Sequence, residues 1–167
     1  MNAIQKITVR YDEREDRLHF ACEDDAGQVQ SLWLTQRLTN RLAEALLSQL
    51  DGAMAHLPNG ARETFQGWEQ SAARALLSPG SPVQSGAAAP YGLVNSIDIS
   101  HTDGRFTLVF RWPEQNALAV TMNAVPLRQW LSIIQETYVK AGWPLEIWPA
   151  WIRESVLPAR GLGAAVH

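Results

Sequence analysis

The chain has 167 residues, a formal net charge of −3, 46% hydrophobic and 19% charged residues. That is one domain of ordinary size with enough apolar residues for a core, which excludes a disordered chain. The slight acidic excess argues against a dedicated nucleic-acid binder. A single cysteine, Cys22, excludes an internal disulfide framework and any CxxC zinc or redox motif.

The first fifty residues read as three strands and a helix. Ile7, Val9 and Tyr11 alternate with Thr8 and Arg10 as in a half-buried strand, and the charged run Asp12 to Asp16 makes the turn. Leu18, Phe20 and Cys22 alternate again up to the turn at Asp24-Asp25-Ala26-Gly27. Gln28 to Leu34 forms the third strand, with Leu32 and Leu34 on one face and Trp33 on the other. Thr35 is the expected N-cap of a helix carrying Leu38, Leu42, Ala45, Leu46 and Leu50 at helical spacing.

Next comes a helix over 60–77 with Phe65, Trp68, Ala72 and Leu76 on one stripe. Residues 78–90 are rich in Pro, Gly, Ser and Ala, without apolar periodicity, and are expected to be a flexible loop serving as connector or lid.

From residue 94 the first pattern returns. Ile97 and Ile99 mark a strand, Thr102-Asp103-Gly104 a tight turn, and Phe106, Leu108, Phe110 and Trp112 a second strand. Leu118, Val120 and Met122 mark a third, Asn123 a second N-cap, and Leu127, Trp130, Leu131, Ile134 and Tyr138 a helix ending at Gly142. Leu18, Phe20 and Cys22 match Phe106, Leu108 and Phe110 at an offset of 88, which also relates Leu42, Leu46 and Leu50 to Trp130, Ile134 and Tyr138. The first strands match at 90, Ile7 and Val9 to Ile97 and Ile99. Residue identity between the halves is low, and any two βββα segments share this pattern. The expected fold class is α+β: two three-stranded antiparallel meanders, each followed by a helix, about a pseudo-two-fold axis, with an inserted helix. As one domain over 1–158, the units span 3–52 and 92–142, a Trp-rich segment spans 143–158, and 159–167 is a frayed tail. Within that segment Leu145 to Trp148 suits a short strand, and Pro149 suits the start of a helix carrying Trp151, Ile152, Ser155 and Val156 and ending before Pro158.

Chemistry is sparse. No nucleotide, hydrolase or zinc-protease motif and no EF-hand loop occurs, so no catalytic residue, metal ligand or cofactor is assigned. Cys22 lies on the inward face of its strand and reads as an inert thiol. His101 with Asp98 and Asp103 is the nearest approach to an acid–base group, and an Asp-Gly turn accounts for it. The acidic turns and the Arg37/Arg41 pair read as solvated faces.

The seven tryptophans carry more information, because three of them crowd into Trp143, Trp148 and Trp151. They read either as a core plug or as an interface, since binding energy concentrates on aromatics with Arg at the rim. Trp33, Ala21, Val109, Ala117 and Ala119, apolar on the outer sheet faces, point to the interface. The expected interface residues are Trp33, Trp143, Trp148, Trp151, Ile152 and Arg153. The function expected is a non-catalytic, cytoplasmic protein–protein interaction or assembly protein, as a homodimer or a small subunit of a larger complex. The alternative is a small-molecule-binding accessory domain with an apolar cleft between the halves, and an enzyme ranks third. With no ~18-residue apolar run and no apolar signal-peptide core at the N-terminus, neither membrane nor nucleic acid is an expected partner.

Overall fold

The computed structural model describes residues 2–87 and 89–154. The expected α+β class holds, with a strand between the two meanders that was not expected. Strands β1 (Ile4–Asp12), β2 (Arg17–Asp24) and β3 (Val29–Thr35) form an antiparallel meander, and helix α1 (Gln36–Gly52) follows directly. Helix α2 (Asn59–Ala75) comes next, and then the short strand β4 (Tyr91–Leu93) lies parallel to β3. The first sheet is therefore four-stranded, in the order β1-β2-β3-β4, and not a bare three-stranded meander. Strands β5 (Ser96–Thr102), β6 (Arg105–Trp112) and β7 (Asn116–Asn123) form the second, antiparallel meander, followed by helix α3 (Ala124–Ala141).

Local chemistry sets the boundaries. Thr35 accepts the Leu38 backbone N–H at 3.3 Å and so caps α1 as expected. Asn123 precedes α3 with extended backbone but makes no side-chain cap bond. Pro126 sits in the first turn of α3, where its missing N–H leaves no helix bond unmade. Gly142 ends that helix at φ 69°, a left-handed conformation that glycine adopts without a Cβ clash.

Both meanders turn their alternating apolar residues into one core. Phe20 meets Phe110 edge-to-face at 6.0 Å and Trp130 at 5.6 Å, which joins the two sheets and α3. Leu42 and Trp130, the pair matched by the offset, are both buried. Cys22 lies in this core, 1% exposed, and burial pushes its thiol pKa up to about 12. Native protein at neutral pH should therefore show no reaction at Cys22 with a thiol reagent over hours, and full labelling in denaturant. Rapid native labelling would contradict the burial.

The sheets join at two seams. At one, the Ser31 N–H donates to the Pro90 carbonyl at 2.8 Å, and Ser31, Leu32 and Trp33 pair with Tyr91, Gly92 and Leu93. At the other, the Ala119 N–H donates to the Asn2 carbonyl at 3.3 Å beside a parallel bridge between Ala3 and Ala119. The chain then runs from β4 straight into β5, with the Val94 N–H donating to the Trp33 carbonyl and the Asn95 N–H to that of Arg111. A strand that switches sheets in this way makes a corner of the fold.

The connector over 78–90 carries no helix or strand among its described residues. It is nevertheless tied down, because Val83 is buried and its N–H donates to Thr8 Oγ1 at 2.9 Å. Thr8 stands opposite Ala21 in the ladder, and Ala21 is itself buried. The connector thus covers part of the outer face of the first sheet. Residues 145–148 make turns, not the short strand expected there, and 150–154 are helical up to the last described residue. Ser155, Val156 and Pro158, the end of the Trp-rich segment and the tail 159–167 lie outside the described residues.

Candidate functional site: an apolar helix face turned outward

Helix α2 packs the wrong way round for an amphipathic helix. Its buried positions are Gln66, Gln70 and Ala73, while Phe65 is 41%, Trp68 63% and Leu76 70% exposed. The stripe seen in the sequence as Phe65, Trp68, Ala72 and Leu76 thus faces water. Phe65 and Trp68 stack edge-to-face on it, with ring centroids 5.1 Å apart. An amphipathic helix ordinarily buries such a stripe.

The inversion is stabilised by a polar seam that ties α2 to the end of α1 and to α3. Gln66 Nε2 donates to the Leu50 carbonyl at 2.9 Å, and its Oε1 accepts from Arg128 at 2.6 Å. Gln70 Nε2 donates to the Arg128 carbonyl and to Ser132 Oγ at 2.8 and 2.7 Å. Arg128 is buried beneath the Trp151 ring, its guanidinium 5.7 Å from the centroid. Burial pushes the Arg128 pKa down, and the charge of Glu69 pulls it back up. At the end of α2, Arg74 forms an ion pair with Glu136. These bonds satisfy both buried glutamines, while Arg128 Nε and Arg74 Nε and Nη1 have no hydrogen-bond partner among the described residues.

The tryptophan cluster divides. Trp143, Trp148 and Ile152 are buried in the chain's own core, so none of them offers a surface to a partner. Tyr138 meets Trp143 and Trp148 edge-to-face at 5.0 and 5.3 Å, and Tyr11 packs against Trp143 at 5.7 Å. Asp16 accepts from the Trp143 indole N–H and the Tyr11 hydroxyl, and these two bonds hold its carboxyl below the usual carboxylate range. Trp151 stays half-buried beside α2, and Arg153 is exposed. Trp33 lies on the outer face of the first sheet, half-buried and stacked on His19 at 4.7 Å. The six expected residues therefore do not form one patch.

Two clefts flank the framework. One, of about 770 Å³, lies between α1, α2 and residues 147–154 and is walled by Trp68 and Trp151. The other, of about 1,090 Å³, opens beside the Ala3–Ala119 seam, between β1, β7 and α3. Trp130 lines it, and the buried Trp130 indole N–H has no hydrogen-bond partner among the described residues. Among the described residues no cluster of His, Cys, Asp or Glu suits a metal ion. His101 stacks on Phe106 at 4.1 Å and Asp98 is held by Arg111, so each has its own structural partner.

No known family, curated protein or solved structure matches the chain. Among the described residues no helix is long and apolar enough to cross a membrane.

Proposed function

We propose that the protein is a non-catalytic interaction or assembly protein whose docking face is the outward stripe of α2. The observation that carries this reading is the inverted helix: α2 buries two glutamines and leaves Phe65, Trp68 and Leu76 in water. Contiguous apolar surface of this kind marks interaction sites, and tryptophan is the commonest energetic anchor in them. The interface expected around the Trp-rich segment thereby moves to α2, with Trp151 at its border.

A photo-crosslinking amino acid at position 65 or 76 tests the reading in cells. Adducts there, with none from position 13 on the β1–β2 turn, are expected. In that setting Trp68→Ala should weaken association by ~2 kcal/mol, about thirtyfold. The same change should shift stability by no more than ~0.5 kcal/mol, because the side chain is exposed. Adducts from position 13 alone, or a Trp68→Ala protein that unfolds, would defeat the proposal.

The second reading, a small-molecule-binding domain, is favoured by the 1,090 Å³ cleft and the unpartnered Trp130 indole N–H. Native mass spectrometry separates the two, since a ligand retained by the purified chain would favour the cleft.

We also infer that the two halves descend from one duplicated βββα unit arranged about a pseudo-two-fold axis. The ladder registers repeat at the offsets expected from the sequence, Val9 with Phe20 and Ile99 with Leu108. The seams repeat too: the Ser31–Pro90 and Ala119–Asn2 bonds, and the Ser31–Tyr91 and Ala119–Ala3 pairs, exchange under the same 88-residue shift.

A further inference from the structure

Resting on the reading of α2 as a docking face, we propose that the partner is a polypeptide segment carrying lysine or arginine beside apolar residues, and that its cations seat in the 770 Å³ groove. The groove walls bear four carboxylates, those of Glu44, Asp51, Glu63 and Glu154, and no Lys, Arg or His among the described residues. Among the described residues only Asp51 of the four is engaged in an ion pair, with Arg62 at 3.1 Å. Carboxylates alone would be a solvated acidic edge. Here they surround the indole of Trp68, which is 63% exposed, while the half-buried Trp151 completes the wall and already carries the Arg128 guanidinium against its ring.

An indole face attracts a cation through its quadrupole, and nearby carboxylates add charge complementarity that steers the encounter. Trp68 belongs to both surfaces, so the groove continues directly into the apolar stripe of Phe65, Ala72 and Leu76. A segment with cations on one side and apolar residues on the other matches that junction. An anionic or purely apolar segment matches only half of it. A bare cation or metal ion would leave the stripe in water.

The test uses the full chain and a fluorescein-labelled amphipathic peptide of leucine and lysine, with its leucine–glutamate twin as control, followed by fluorescence anisotropy. The lysine peptide should bind and the glutamate twin should not. The exposed double variant Glu44→Lys/Glu63→Lys should weaken binding about tenfold and flatten its salt dependence. The equal charge change at Glu13→Lys/Asp25→Lys, on turns away from the groove, should leave binding within about twofold of the parent.

Equal loss in both variants would show attraction to net charge alone and overturn the groove. If Phe65→Ala/Leu76→Ser abolishes binding while the groove variant does not, the stripe reading stands and the cationic seat falls. If neither pair has any effect, both readings fall. A homodimer that dissociates in the groove variant would assign the groove to a second copy of this chain and overturn the foreign segment.

Discussion

Replacing Gln66 by leucine is expected to destabilise the protein by about 3 kcal/mol, because it removes the best acceptor of a buried guanidinium. It also removes the donor to the Leu50 carbonyl near the end of α1. In Gln66→Leu the guanidinium keeps its 3.4 Å bond to Gln70 Oε1, while its Nε already lacks a partner among the described residues of the parent. An unpaired buried cation is costly, while a matched apolar pair of similar volume is not. The double variant Gln66→Leu/Arg128→Met should therefore regain most of the lost stability. Urea unfolding of the four proteins in this cycle measures the coupling. A single-variant cost below ~1 kcal/mol, or strict additivity, would show that the polar seam does not hold α2 in place.

Gly92→Ala should be comparably damaging for a steric reason. A Cβ at position 92 would stand 2.6 Å from the Trp112 ring, against the inner atoms of the indole rather than a flexible tip. Trp112 is buried, so the ring can yield only by disturbing the core or by pushing β4 off β3. Overpacking of this kind costs ~1–3 kcal/mol or more. The change should be better tolerated in a Trp112→Leu background, where the ring is absent. A Gly92→Ala protein that melts like its parent would mean that the close approach of β4 to Trp112 is not needed for the fold.

The long elements were legible because their periodicities are strong and local. Period-two alternation in Leu18-Phe20-Cys22 and Phe106-Leu108-Phe110 placed the inward faces, and Leu18, Phe20, Cys22, Phe106, Leu108 and Phe110 are all buried. Strand β4 was not legible. It is three residues long, and its partner β3 lies some sixty residues earlier, so nothing near Tyr91-Gly92-Leu93 signals the pairing.

The orientation of α2 was hidden for a different reason. Its apolar stripe is visible in the sequence, but which side faces inward depends on Arg128 and Ser132 of α3, whose polar groups pair with the glutamines. The burial of Trp143 and Trp148 likewise depends on Tyr138 and Asp16, which only the folded chain brings to them. One signal went unused. Gln66 and Gln70 stand one turn apart with Ala73 in the same arc, a pattern compatible with a buried polar ladder.

The two seams make the halves of this chain mutually dependent. The outer edge of β3 is covered by β4, which leads into the second meander, and that of β7 is bridged by residues just before β1. Either half made alone would present an uncovered strand edge, a template for pairing with other chains. The hairpins are local and can form early, but the seam residues are separated by sixty residues or more and close only after both meanders exist. Residues 78–82, exposed and ahead of the anchored Val83, therefore mark the place where the backbone could be cut with every ladder left intact. The resulting two-piece protein would be held together by complementation, and its assembly would depend on concentration, as that of a heterodimer does.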